Sequence, residues 1–197
     1  MIISGSSIVA LRRMHDNPIA LSARTPLAIV ALVLGAMTVG RSQSPVDPKL
    51  QGELRQLFPA SASFSPKVLD PPHFKVYAAN PGAGPPVMAG VAFWTTEMEP
   101  LERGYDGPIK ILVGMDTKGV LAGIIVVQHH EPYGDFSIAT PEFAAQFRGK
   151  SIRDPFRVGG DIDAVSRATI SITSATRAIK NSARRIATEL LAPPPRK

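Results

Sequence analysis

Apolar and polar positions follow two rhythms along residues 45–191, and the switch between them predicts the fold. Residues 49–57 read as a short helix, ended at Phe58-Pro59 because proline disfavours helical backbone in the residue before it. Residues 61–72 read as loop. Phe74-Lys75-Val76-Tyr77 alternates with a strand's period of two. Residues 80–86 are dense in turn residues, and 87–96 read as a second strand. After the turn-rich Gly104-Tyr105-Asp106-Gly107-Pro108, the residues Ile109, Ile111, Val113 and Met115 share one face of a strand. Residues 116–119 supply a turn, and 120–127 return as a strand apolar on both faces, which predicts a central place in the sheet. Residues 141–148 read as a short helix with proline in its first turn. The rhythm then lengthens. Ile172, Ala175, Ile179, Ala183, Ile186 and Leu190 recur every three or four residues, the mark of a long C-terminal helix, with Arg177, Lys180 and Arg184 on its polar side. Strands followed by helices, without regular βαβ alternation, predict an α+β domain: a twisted, mainly antiparallel sheet with packed helices.

Residues 1–44 fit neither rhythm. Residues 25–40 carry no charge, and Arg12, Arg13 and Arg24 precede them. The stretch is short for a membrane-spanning helix of about 20 residues and suits a signal-peptide core of about 7–15. Basic residues ahead of it predict export of the chain beyond residue 40. No clean cleavage site stands out, so a signal peptide and an N-terminal membrane anchor both remain open, and Met14 is an alternative start. The expected organisation is therefore a leader and linker at 1–44, one domain at 45–191 and a proline-rich basic tail at 192–197.

Composition narrows the chemistry. The absence of cysteine removes disulfides, thiolate metal sites and thiol catalysis. The net charge of +6 is mild, half of it lies in residues 1–41, and no basic stripe interleaved with aromatics points to nucleic acid. No Ser–His–Asp set, carboxylate pair or phosphate loop stands out, so no catalytic residue is named.

The most informative segment is Asp161 to Ser171, which sets hydroxyls and carboxylates just before the C-terminal helix. A helix N-terminus offers unpaired N–H groups and partial positive charge to an anion. The plainer reading is a helix cap made by the same hydroxyls or carboxylates.

Asp163-Ala164-Val165-Ser166-Arg167-Ala168-Thr169 resembles the flavinylation motif of FMN-binding domains, D-x-x-(S/T)-G-A-T. That family includes flavin subunits of the sodium-pumping NADH:quinone reductase and of ferredoxin:NAD oxidoreductase, and the periplasmic domain of the nitrous-oxide-respiration regulator. Gly104-Tyr105-Asp106-Gly107-Pro108-Ile109 is similar to the family's hairpin lead. Leu57-Phe58-Pro59-Ala60, His129-His130-Glu131-Pro132 and Ser182-Ala183-Arg184-Arg185 resemble the regulator branch. The resemblance spans residues 50–187. It implies FMN, esterified through its phosphate to Thr169 by a separate flavin transferase that uses FAD and magnesium, or held without a covalent bond. It also implies an extracytoplasmic electron carrier whose partners are membrane or periplasmic redox proteins. Asp163 would belong to the transferase recognition motif, Ser166 and Ser171 would bond the phosphate, and small Ala168 would admit it. Arg167 stands where the family has glycine. Glycine there serves a positive φ or simply leaves room; the intact remainder of the motif favours room, with Arg167 swung out to pair with the phosphate. A flavin-free binding or sensing module on the same fold is the rival.

Other candidates are weaker. Thr173-Ser174-Ala175-Thr176 repeats part of the motif, but Thr176 is expected inside the helix, where its hydroxyl bonds back to the backbone. His129 and His130, adjacent on a strand, point oppositely and suit one metal ion poorly; a flavin-edge contact or structural hydrogen bond is expected of His129. Tyr105 and Trp94 are candidates to stack on the flavin ring.

Overall fold

A computed structural model describes residues 46–79 and 84–191. The expected leader and proline-rich tail lie outside the described residues, as does part of the turn at 80–86. Among the described residues no helix is long and apolar enough to cross a membrane.

The described chain runs α1 (Pro48–Leu57), β1 (Ser61–Phe64), β2 (Val68–Leu69), β3 (Pro72–Ala78), β4 (Val87–Trp94), α2 (Thr95–Met98), β5 (Lys110–Asp116), β6 (Leu121–Gln128), α3 (Pro141–Ala145) and α4 (Thr169–Ile186). The strands form an antiparallel sheet in the order β1-β3-β4-β5-β6, with β2 added on β3. This is the α+β architecture that the two rhythms predict.

Alternation along β5 explains why the sheet is covered twice. Ile111, Val113 and Met115 face one core with Phe93, Ile172, Ile179 and Ile186 of α4. Leu112 faces a second core with Phe74, Trp94 and the Leu54 and Leu57 of α1. Full burial of each such side chain is worth roughly 1.5–3 kcal/mol. The helix α4 is 18 residues long and continues through Ala187–Leu191 in a wider pitch. Its basic residues do not simply face water. Arg184 donates from Nε to the Ile152 carbonyl at 2.7 Å, and Lys180 donates to that of Pro155 at 3.0 Å.

Three readings need correction. Residues 61–72 contain two short strands and the start of β3 rather than loop. The second strand stops at Trp94, and a one-turn helix follows. The return strand β6 is at the edge of the sheet, not its centre, and β5 is interior. The apolarity of β6 reports coverage of its two faces: Leu121 and Ile124 enter the first core, while Ile125 and Val127 pack against the second. Its open edge is partly closed by a strap, with the Leu121 N–H donating to Lys150 and the Gly149 N–H to Leu121, each at 2.8 Å.

Candidate functional site

The approach to α4 is a loop held by Asp161. Its carboxylate accepts from the Phe156 N–H at 3.1 Å and the Lys150 ammonium at 3.0 Å. Burial pushes this carboxyl up, but the Arg157 N–H, Lys150 and the Phe156 N–H together hold it below its ordinary value. The chain then turns sharply, with the Ala168 N–H donating to Val165 at 3.1 Å. At that turn Arg167 adopts φ 70°. The glycine position of the motif is thus a left-handed one and not merely a roomy one, which corrects the sequence reading. The conformation costs a non-glycine residue about 1 kcal/mol or more.

Ala168 is the residue before the helix proper, and no side chain among the described residues caps α4. The plain capping alternative is therefore not what Asp163, Ser166 or Thr169 does. The first N–H groups of α4 lack intrahelical partners and present the positive end of the helix. Thr169, its first residue, is exposed. It lines a cavity of about 470 Å³ with Tyr105, Pro132, Tyr133, Arg167, Ile170 and Ser171. Tyr105 is 70% exposed and Ile170 58% exposed. Exposed apolar surface beside a few polar groups suits a flat, partly apolar ligand.

A buried carboxylate assembles this cavity from distant segments. Glu131 is 5% exposed. It accepts from the N–H groups of Tyr105 at 2.8 Å and Asp106 at 3.0 Å, and from the Ser171 hydroxyl. A Cβ on Gly104 would collide with that carboxylate, so glycine lets the loop close on it. Burial pushes the Glu131 carboxyl up; hydrogen bonds from Ser171, Asp106 and Tyr105, with the charge of His129, outweigh it and lower it below the ordinary value.

Of the residues singled out in the sequence, Thr169, Arg167, Ser171 and Tyr105 meet at the cavity. Ser171 meets it with its hydroxyl donating a hydrogen bond to Glu131. Ala168 is buried beneath, whereas Asp163 and Ser166 are exposed and outside the lining. The Asp163 N–H donates to Gln146 at 2.6 Å. His129 lies in a neighbouring cleft with His130 and Asp135; its Nε2 is 3.3 Å from Asp135 and its ring packs on Gly134, a position for a structural contact. Among the described residues no three His, Asp or Glu side chains are grouped to hold a metal ion. Trp94 sits in the second core under the Lys110 ammonium, away from the cavity. Thr176 is 2% exposed and has no hydroxyl partner among the described residues, so it is inaccessible as an acceptor. Tyr133, Ile170 and the clamping role of Glu131 are not singled out by the sequence reading. Ile170 carried a signal, as an isoleucine off the buried stripe of α4.

Residues 104–184 match the sequence profile of the FMN-binding domain. The G subunit of the ion-translocating oxidoreductase complex of Vibrio vulnificus is 32% identical over 89 residues, which is 40% of this chain and 42% of that protein. The protein of the same name from Yersinia pestis is 32% identical over 122 residues, 57% of this chain and 54% of that protein. The Escherichia coli protein is 32% identical over 89 residues, 40% and 43% of the two chains. The chain thus spans about half the length of these curated relatives.

Proposed function

We propose, from the premise that residues 104–184 form an FMN-binding domain, that this chain is an electron-transfer module whose FMN is joined through its phosphate to Thr169. The observation that supports this most is the exposed Thr169 at the uncapped start of α4, in a cavity walled by two tyrosines. The residues fit the group. The free N–H groups of the helix and the Arg167 guanidinium suit a phosphate, and Tyr105 and Tyr133 suit a flat ring. Bound FMN supplies one- and two-electron chemistry, while the protein supplies position and electrostatics. Glu131 holds the Tyr105 loop against the helix and so fixes one wall of the cavity that Thr169 lines.

Attachment exchanges the Thr169 Oγ–H bond for an Oγ–P bond. With FAD as donor, its pyrophosphate linkage breaks and AMP departs with the proton; a separate flavin transferase with magnesium performs this step. Asp163, exposed six residues before the acceptor, is available to that transferase. The relatives are named as subunits of an oxidoreductase complex; for this chain the corresponding reading is a carrier between membrane or periplasmic redox partners rather than an enzyme by itself. The uncharged residues 25–40 behind arginines support export, with or without cleavage. A reporter enzyme active only outside the membrane, fused after Lys197, should be active; activity confined to the cytoplasmic form would end this part of the reading.

Co-expression with a flavin transferase tests the attachment. The intact mass should rise by one FMN minus one water. A protein that emerges without flavin supports the second reading, a flavin-free binding or sensing module, which one observation favours: Arg167 places a bulky cation on left-handed backbone at the cavity, where the family has glycine.

A further inference from the structure

Among the described residues that line the Thr169 cavity, Arg167 alone carries a charge. Among the described residues no carboxylate pairs with it. The buried carboxylate behind the wall, Glu131, is already engaged by Tyr105, Asp106 and Ser171. The same rim carries the uncapped N–H groups of α4. The cavity mouth therefore collects positive charge on its helix side with no anion among its lining residues, while the wall of Tyr105, Pro132 and Tyr133 is neutral. An arginine on left-handed backbone adds strain that glycine would avoid; what glycine would not provide is a guanidinium, which forms paired, charge-assisted bonds to phosphate oxygens.

We infer that Arg167 is the phosphate-recognition residue of this cavity and makes it select a flavin that bears a phosphate over the same ring without one. The inference rests on the FMN reading above and deepens it. It concerns reversible recognition of the flavin phosphate, measured independently of any bond to Thr169. The ring and its apolar contacts are common to FMN and riboflavin, so a difference in affinity between them isolates the phosphate.

The test uses the full-length chain produced without a flavin transferase and titrated with FMN and with riboflavin, following flavin fluorescence. The wild type should bind FMN at least about tenfold more tightly than riboflavin, as expected for a charge-assisted arginine contact. The FMN advantage should shrink as salt rises, since the contact is at the surface. Arg167→Gln should remove most of that advantage by weakening FMN far more than riboflavin, and Arg167→Lys should retain part of it. Arg167→Gly separates side chain from backbone: it should lose the FMN preference as Arg167→Gln does, yet raise the Tm of the flavin-free protein by about 2–4 °C through relief of strain. An FMN-to-riboflavin ratio that is the same in wild type and Arg167→Gln overturns the inference and leaves the FMN reading standing. A wild type that binds neither flavin also overturns the inference, and the FMN reading is then decided separately by the mass increment after co-expression with a transferase.

Discussion

The first turn of α4 and the two turns beyond it are built from similar residues to opposite ends. Thr169, Ile170 and Ser171 open the helix, and Thr173, Ser174 and Thr176 continue it. In the opening turn a threonine and an isoleucine are exposed on a cavity, and no side chain among the described residues caps the backbone. From Ile172 onward the stripe is sealed, and even Ser174 and Thr176 are buried. Hydroxyl residues therefore carry no fixed meaning along this helix. What distinguishes them is the Glu131 clamp, which sets one wall beside Thr169, and burial, which removes Thr176 from solvent.

The largest test of that contrast is all-or-none. Thr169→Ala should abolish the flavin mass increment after co-expression with a transferase, and Thr176→Ala should leave it intact. An increment that survives the loss of Thr169 and disappears with Thr176 would reverse the comparison. Next in size is the sealed stripe itself. Ile179 is fully buried in the core that α4 shares with β5, so Ile179→Ala should cost about 2–5 kcal/mol in urea unfolding, without changing the FMN-to-riboflavin selectivity of the folded fraction. A cost below about 1 kcal/mol would mean that this face is far less packed than described.

The clamp comes third. Glu131→Gln keeps the shape but loses charge and one acceptor, so about 1–3 kcal/mol of stability should go at neutral pH. Folding lowers the Glu131 carboxyl from its ordinary value of 4.5, so the unfolded chain takes up the proton more readily. The stability it contributes is whole above that ordinary value and declines as pH falls through the folded one. Unfolding curves from pH 7 downward should show the gap between wild type and Glu131→Gln narrowing in acid; a gap constant with pH would remove charge from the explanation. The smallest effect on stability is expected at Asp163. It is exposed and outside the cavity lining, so Asp163→Asn should alter stability by no more than about 0.5 kcal/mol while reducing flavin loading. Unchanged loading would leave Asp163 as a turn residue only.

Much of this contrast is readable in one dimension. The period of Ile172, Ala175, Ile179 and Ala183 announces a buried stripe, and the hairpin from Ile109 to Val127 announces itself by alternation and its turn at Asp116. The motif at 163–169 points to Thr169 without any coordinates. Other features are invisible for physical reasons. The strands at 61–64 and 68–69 are too short for alternation to register, with Pro66, Pro71 and Pro72 among them. The edge position of β6 is a property of the other strands. Glu131 becomes a clamp only when residues 26 and 40 positions away in the chain arrive at its carboxylate. The left-handed backbone at Arg167 is imposed by the turn it occupies, since arginine has no preference for that conformation.

Thr169 is the first residue of a helix whose next turn, at Ile172 and Ala175, is fully buried. A group bonded to its hydroxyl would therefore hang from the end of a well-packed helix. Its sweep would be set mainly by the length of its own leash and by the few rotatable bonds between helix and load. Such a mounting fixes how far the load can reach across the rim and how often it returns to the same face of the protein. Shifting the threonine one residue toward Ala168 would move the pivot off the helix and make that reach variable.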